Sequence, residues 1–134
     1  MTVKEVAQKS IYATTGHISN QESLNTIESY ILFNLDILRE FKRILVISNY
    51  QEINRDLEKL NEALWKKYFN DCFFVHNGIS KGRDFGAAEN DNSAFEYCKA
   101  NSIDWLCKSA NDIILKTDFR LDAIYTEKGF LNIE

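Results

Sequence analysis

The stretch "RILVISN", Arg43–Asn49, decides how this chain folds. Ile44, Leu45, Val46 and Ile47 follow one another without a polar break. A strand with one solvated face alternates apolar and polar residues; a near-continuous apolar run marks a strand covered on both faces. Upstream, Leu24, Ile27, Ile31, Leu35 and Leu38 recur at helical spacing, and one face of that helix is therefore apolar. "SNQE", Ser19–Glu22, has the capping-box pattern that starts such a helix, and the pattern ends near Phe41. Downstream, a second helix is expected from Gln51 to Phe69, with Ile53, Leu57, Leu60, Leu64 and Tyr68 on its buried stripe.

The same alternation extends to both sides. "SIYAT", Ser10–Thr14, reads as a short first strand and "CFFVHN", Cys72–Asn77, as a third. The glycine-bearing segment "GISKGRDFGAAEN" reads as a loop, because Gly78, Gly82 and Gly86 fall together in it. A helix is expected from near Asn90 or Asp91, carrying Phe95 and Cys98 inward. "IDWLCK", Ile103–Lys108, is the fourth strand; Thr117–Tyr125 reads as helical and "GFLNI" as a last short strand. Strands joined by helical crossovers make a parallel sheet with right-handed connections. The expected fold is α/β, a Rossmann-like parallel sheet with helices on both faces, in one domain spanning 1–134.

Bulk properties narrow the function. A net charge of −4 and no Lys/Arg-rich run argue against a nucleic-acid-binding surface. No stretch approaches the roughly 18 apolar residues of a membrane span, and the first residues lack a signal-peptide core, so the expected location is cytoplasmic. The cysteines Cys72, Cys98 and Cys107 are odd in number, widely spaced and set among apolar neighbours. They read as small core residues rather than as a disulfide framework or a zinc site.

In parallel α/β sheets ligands bind beyond the carboxyl ends of the strands, so the chemistry is sought in "TTGH", "SNYQ", "HNGISKGRDFG" and "KSANDI". "ATTGH", Ala13–His17, offers two hydroxyls, a glycine and a histidine. It is either a cradle for a phosphate or nucleoside or a turn in which Gly16 takes an unusual backbone angle. "ISNY" carries no carboxylate, which disfavours hydrolases and phosphotransfer proteins with an aspartate at an early strand end. Neither GxGxxG nor GxxxxGK[ST] follows the first strand. Lys81 and Arg83 place positive charge in the glycine segment, and Arg can hold phosphate oxygens bidentately. In "KSANDI", Ser109, Asn111 and Asp112 are oxygen ligands suited to a hard cation, and equally common turn residues.

Together these segments resemble the nucleotide-sugar-binding N-terminal half of GT-A-fold glycosyltransferases, of the family-2-like group, over roughly Ser10 to Leu115. "NGISKGRDFGAAEN" is similar to the family's N-x-G-x-x-x-A-R-N-x-G loop, and "WLCKSANDIIL" to its hydrophobic strand followed by D-x-D-D-x-L. The resemblance implies a nucleoside diphosphate sugar as ligand. Thr14, Thr15 and Gly16 would contact the nucleoside and Ser48 and Asn49 the base. Gly82, Arg83 and Asn111 would contact the donor, and Asp112 would hold a divalent cation, Mg²⁺ or Mn²⁺, on the diphosphate. Ser109 and Asn111 stand where the family has acidic residues, so Lys108, Lys81 or Arg83 are alternatives for neutralising the diphosphate. The family's acceptor-binding portion lies beyond the residues present. The resemblance is thus open to a fragment, a minimal form that needs a partner, or a relative that binds without catalysis. An apolar patch around Phe119, Ile124 and Phe130 would suit a second copy or a partner chain.

Overall fold

The computed structural model describes residues 3–110, apart from the side chains of Val3, Lys4, Arg83, Asp84 and Ala110. Asn111, Asp112 and the elements expected over Thr117–Tyr125 and in "GFLNI" lie outside the described residues. The elements run α1 (Val3–Lys9), β1 (Ile11–Ile18), α2 (Gln21–Leu38), β2 (Arg43–Tyr50), α3 (Arg55–Tyr68), β3 (Cys72–Ile79), α4 (Arg83–Ala100) and β4 (Leu106–Ala110). The four strands form one sheet in the order β3-β2-β1-β4, and every pairing is parallel. This is a Rossmann-like α/β fold. The chain steps outward from β1 to β3, then returns through α4 to β4 on the far side of β1, so the order reverses between β1 and β4. A reversal of this kind opens a crevice at the carboxyl ends of the strands.

Two apolar layers enclose the sheet. On one face Tyr12, Ile18, Ile44, Val46, Tyr50 and Cys107 pack with Leu24, Ile27 and Ile31 of α2 and with Leu57 and Trp65 of α3. On the other, Ile11, Ala13, Leu45 and Ile47 pack with Ala94 and Cys98 of α4. Because successive strand residues point to opposite faces, even-numbered residues of β1 and β2 face α2 and α3, and odd-numbered ones face α4. The unbroken burial of Ile44–Tyr50 follows from this double cover.

Several local expectations are corrected. Helix α1 was not anticipated; it is tied in by Ser10 Oγ donating to the Val6 carbonyl at 2.5 Å and by Lys42 N donating to the Ala7 carbonyl at 3.2 Å. Asn20, not Ser19, caps α2: its Oδ1 accepts from Ser23 N at 3.1 Å, which places the start one residue later than the box requires. Asn54 caps α3 through Asp56 N and Leu57 N. On α3 the buried positions are Leu57, Asn61 and Trp65, whereas Ile53 and Leu60 are exposed. Asn61 takes a core position because its Nδ2 donates to Ser48 Oγ at 3.1 Å. β1 runs on to Ile18, so Gly16 lies within a strand and not among the positive-φ residues. β4 begins at Leu106, three residues later than expected.

The largest correction is α4. It begins at Arg83, so most of the segment read as a glycine loop is helix. Gly82 takes φ +100° at its N-cap, a backbone state that glycine adopts without steric cost. Along α4 the buried positions are Gly86, Asn90, Ala94 and Cys98, four residues apart. Phe95 points outward and is exposed.

Candidate functional site

A pocket of about 350 Å³ opens at the carboxyl rim of the sheet. Thr15, Gly16 and His17 of β1 and Asn49 of β2 form its floor; Ser80 and Gly82 of the β3–α4 connection and Gly86, Ala87 and Asn90 of α4 form its wall. Alternation along the strands selects the floor: Thr15, His17 and Asn49 all lie on the α4 face.

Asn49 is 6 % exposed, and its Oδ1 accepts from His17 Nδ1 at 3.1 Å. An amide oxygen only accepts, so the imidazole proton of this pair sits on Nδ1. Asn90 is 4 % exposed; its Oδ1 accepts from Asn77 Nδ2 at 2.8 Å. Asn77 is held in turn by Ser93, whose hydroxyl also donates to the Glu89 carbonyl at 3.0 Å. Both buried asparagines therefore have their oxygens engaged with neighbouring side chains. Gly86 leaves room for this arrangement: a Cβ there would stand 3.0 Å from Asn49 Nδ2 and 3.1 Å from Ser80 Oγ.

The start of α4 adds further donors. Its first intrahelical bond runs from Gly86 N to the Gly82 carbonyl, at 2.7 Å. The amides of Arg83, Asp84 and Phe85 have no acceptor within the helix, and Gly82 provides no side-chain cap. α2 and α3, by contrast, are capped by asparagine side chains.

The residues singled out in the sequence separate into three groups. Thr15, Gly16, Asn49 and Gly82 meet at the pocket. Thr14 and Ser48 are fully buried on the other side of the sheet, toward α2 and α3, and Ser48 Oγ is held by Asn61. Asn111 and Asp112 lie outside the described residues, as does the Arg83 side chain. Ser109, standing at the first acidic place of the D-x-D-type motif, is turned into the core; its Oγ bonds the Tyr12 hydroxyl and lies 3.4 Å from that of Tyr30. Tyr12 and Tyr30 bond each other at 2.8 Å, and burial raises both phenol pKa values. Lys81 and Lys108 are paired with α4 carboxylates, Glu89 at 2.6 Å and Asp91 at 2.5 Å.

For a divalent cation the described residues are a poor fit. Among the described residues the pocket lining includes no carboxylate, Ser109 faces away from it, and no group of three or more His, Cys, Asp or Glu could hold a metal. Ser80, Gly86, Ala87 and Asn90 were not recognised in the sequence as site residues. The four-residue spacing of Gly86, Asn90, Ala94 and Cys98 is the signal that would have found two of them, since it marks one face of a helix.

What fold and site define is an α/β protein with an all-parallel, Rossmann-like sheet and a pocket at its carboxyl rim. Comparison of the chain with protein-family profiles, with curated proteins and with solved structures finds no match. Among the described residues no helix is long and apolar enough to cross a membrane.

Proposed function

We propose that the chain is a nucleotide-sugar-binding domain of GT-A type, with the rim pocket as part of its donor site. The observation that carries the reading is the convergence of the β1 and β2 ends with the start of α4 on one pocket, beside the place where strand order reverses. Thr15, Gly16 and Asn49, which the family resemblance assigns to nucleoside and base, lie on its floor. A divalent cation belongs to this reading only through Asp112 and the oxygens of the ligand itself.

A second reading, binding without sugar transfer, is favoured by one specific feature. The described lining consists of hydroxyl, amide, imidazole, glycine and alanine groups, which bind and orient, with no carboxylate among the described side chains to act as a base.

A thermal-shift and calorimetric screen tests both. Uridine, guanosine, thymidine and cytidine diphosphates, their sugar conjugates and the parent nucleosides are compared, with Mn²⁺ and with chelator. A ligand that binds only the folded chain raises its stability with concentration, so at least one diphosphate should raise the melting temperature well above its nucleoside. No response to any diphosphate at millimolar concentration would remove the donor-site reading. A Mn²⁺-dependent gain that Asp112→Asn abolishes would assign the cation to that residue. Binding without release of sugar in a turnover assay, with candidate acceptors supplied, would decide for the binding module.

A further inference from the structure

The rim pocket presents an unusual balance of polar groups. Asn49 and Asn90 are 94 % and 96 % buried, and each oxygen already accepts a bond, from His17 and Asn77. Neither Nδ2 has a hydrogen-bond partner among the described residues. Each nitrogen therefore keeps donor capacity that water or a ligand at the pocket can take up. Both nitrogens belong to side chains that line the pocket. Asn49 Nδ2 is close enough to the first turn of α4 to crowd a Cβ on Gly86 at 3.0 Å. The pocket lies beside the N-terminal end of an 18-residue helix whose dipole favours negative charge.

We infer that this pocket is a subsite for a phosphate group, bound by the carboxamide nitrogens of Asn49 and Asn90 beside the N-terminal end of α4. The inference rests on the donor-domain reading and, within it, moves Asn49 from the base to the diphosphate. A volume of about 350 Å³ stands at the low end of ligand pockets, so the diphosphate linkage of a nucleoside diphosphate sugar fits within it while the nucleoside and the sugar extend beyond. A phosphate fits the donor set because it only accepts hydrogen bonds and offers several oxygens to donors arriving from β2 and from α4. His17 is a positioning residue: by occupying Asn49 Oδ1 it turns Nδ2 toward the pocket.

The test uses the full chain and inorganic pyrophosphate, followed by calorimetry. Asn49→Asp and Asn90→Asp keep size and keep an acceptor for His17 and Asn77, but replace the pocket-facing donor with a negative oxygen. Each should weaken pyrophosphate binding by at least about tenfold, the effect of losing one hydrogen bond to a charged group. His17→Ala should weaken it severalfold while leaving the melting temperature of the free protein unchanged, and His17→Gln, which restores a donor to Asn49, should recover part of the loss. In isotope-labelled wild-type chain, pyrophosphate should shift the side-chain amide signals of Asn49 and Asn90 and the backbone amides of Asp84 and Phe85; this needs no variant to fold. Unchanged affinity in both Asp variants, or signal shifts confined elsewhere, would overturn the subsite. Malonate binding as tightly as pyrophosphate would replace phosphate by carboxylate as the ligand group. If nucleoside diphosphates bind and pyrophosphate does not compete, the subsite falls and the donor domain stands. If pyrophosphate binds through Asn49 and no nucleotide binds more tightly, the subsite stands and the donor domain falls.

Discussion

Thr14 and Thr15 are neighbours in β1, as are Ser48 and Asn49 in β2, and their surroundings differ sharply. Thr14 and Ser48 face α2 and α3, where Asn61 bonds Ser48 and the hydroxyls of Tyr12, Tyr30 and Ser109 bond one another, while Thr14 Oγ1, Asn61 Oδ1 and Trp65 Nε1 are buried without a hydrogen-bond partner among the described residues. Thr15 and Asn49 face α4 and line a pocket. One face of the sheet buries its polar residues between layers; the other presents them at a pocket. A strand end is thus not a uniform binding surface. Its side chains divide by parity, and the helix each set meets decides whether they serve stability or a ligand.

The contrast predicts that damage to stability belongs to the α2/α3 face. Trp65 is fully buried, with its ring against Tyr30 and Phe69. Trp65→Ala should lower unfolding free energy by about 3–5 kcal/mol, the range for deleting a buried aromatic side chain, as measured by urea unfolding. A loss below about 1 kcal/mol would mean that this layer is not the core described here. Next in size is Tyr12→Phe. It removes the hydroxyl shared by Tyr30 and Ser109 and should cost about 1–3 kcal/mol, the penalty for leaving buried polar partners unmatched. Affinity at the pocket should not change, because the hydroxyl lies on the opposite face. A variant that weakened ligand binding at full stability would break the division between the faces.

Alkaline pH probes the same division without touching the pocket. Burial pushes the Cys107 thiol up to about 12 from an ordinary 9.0, and Tyr50 up to about 12 from 10.0. Both belong to the α2/α3 face. Between the ordinary and folded values the unfolded chain has released protons that the folded chain keeps, so stability falls as pH rises through this window. Their contribution is complete below pH 9 for Cys107 and below pH 10 for Tyr50, and is lost toward pH 12. Cys107→Ala should flatten the fall in stability between pH 9 and pH 12, followed by chemical denaturation at each pH. In the folded protein at neutral pH a thiol reagent should modify the half-buried Cys72 before Cys98 or Cys107.

Much of the architecture was readable because apolar runs and helical stripes report burial directly. "RILVISN" needs both faces covered, and the structure covers both. What escaped reading was governed by contacts across the sheet. Asn61 gives no local sign of burial, because its partner, Ser48, comes from another element. Ser109 looked like part of a ligand motif because its position is set by pairing opposite Thr14, which aims it at Tyr12 and Tyr30. The glycines of "GRDFG" looked like a loop because glycine disfavours helix. Yet Gly82 is needed for φ +100° at the cap, and Gly86 for clearance from Asn49. Each exception breaks a local rule to meet a neighbour distant in sequence, and the two glycines do so at the pocket.

Gly86 therefore carries the smallest predicted change in stability and a sharp test of the comparison. In an ordinary helix position Gly→Ala gains roughly 0.5–1 kcal/mol, since alanine loses less backbone freedom on folding. Gly86 has no positive φ to oppose this, but the added Cβ meets Asn49 Nδ2 at 3.0 Å and Ser80 Oγ at 3.1 Å, so both must give by a few tenths of an ångström. Asn49 can move because its other tie is to His17, whose side of the pocket is exposed. Crowding and propensity offset each other, and Gly86→Ala should change unfolding free energy by less than about 0.5 kcal/mol. It should nevertheless displace the amide aimed into the pocket and weaken pyrophosphate and nucleoside diphosphate binding together. A gain of about 1 kcal/mol with affinity intact would show that the Asn49 amide does not meet the ligand, and that α4 crosses this rim only to pack.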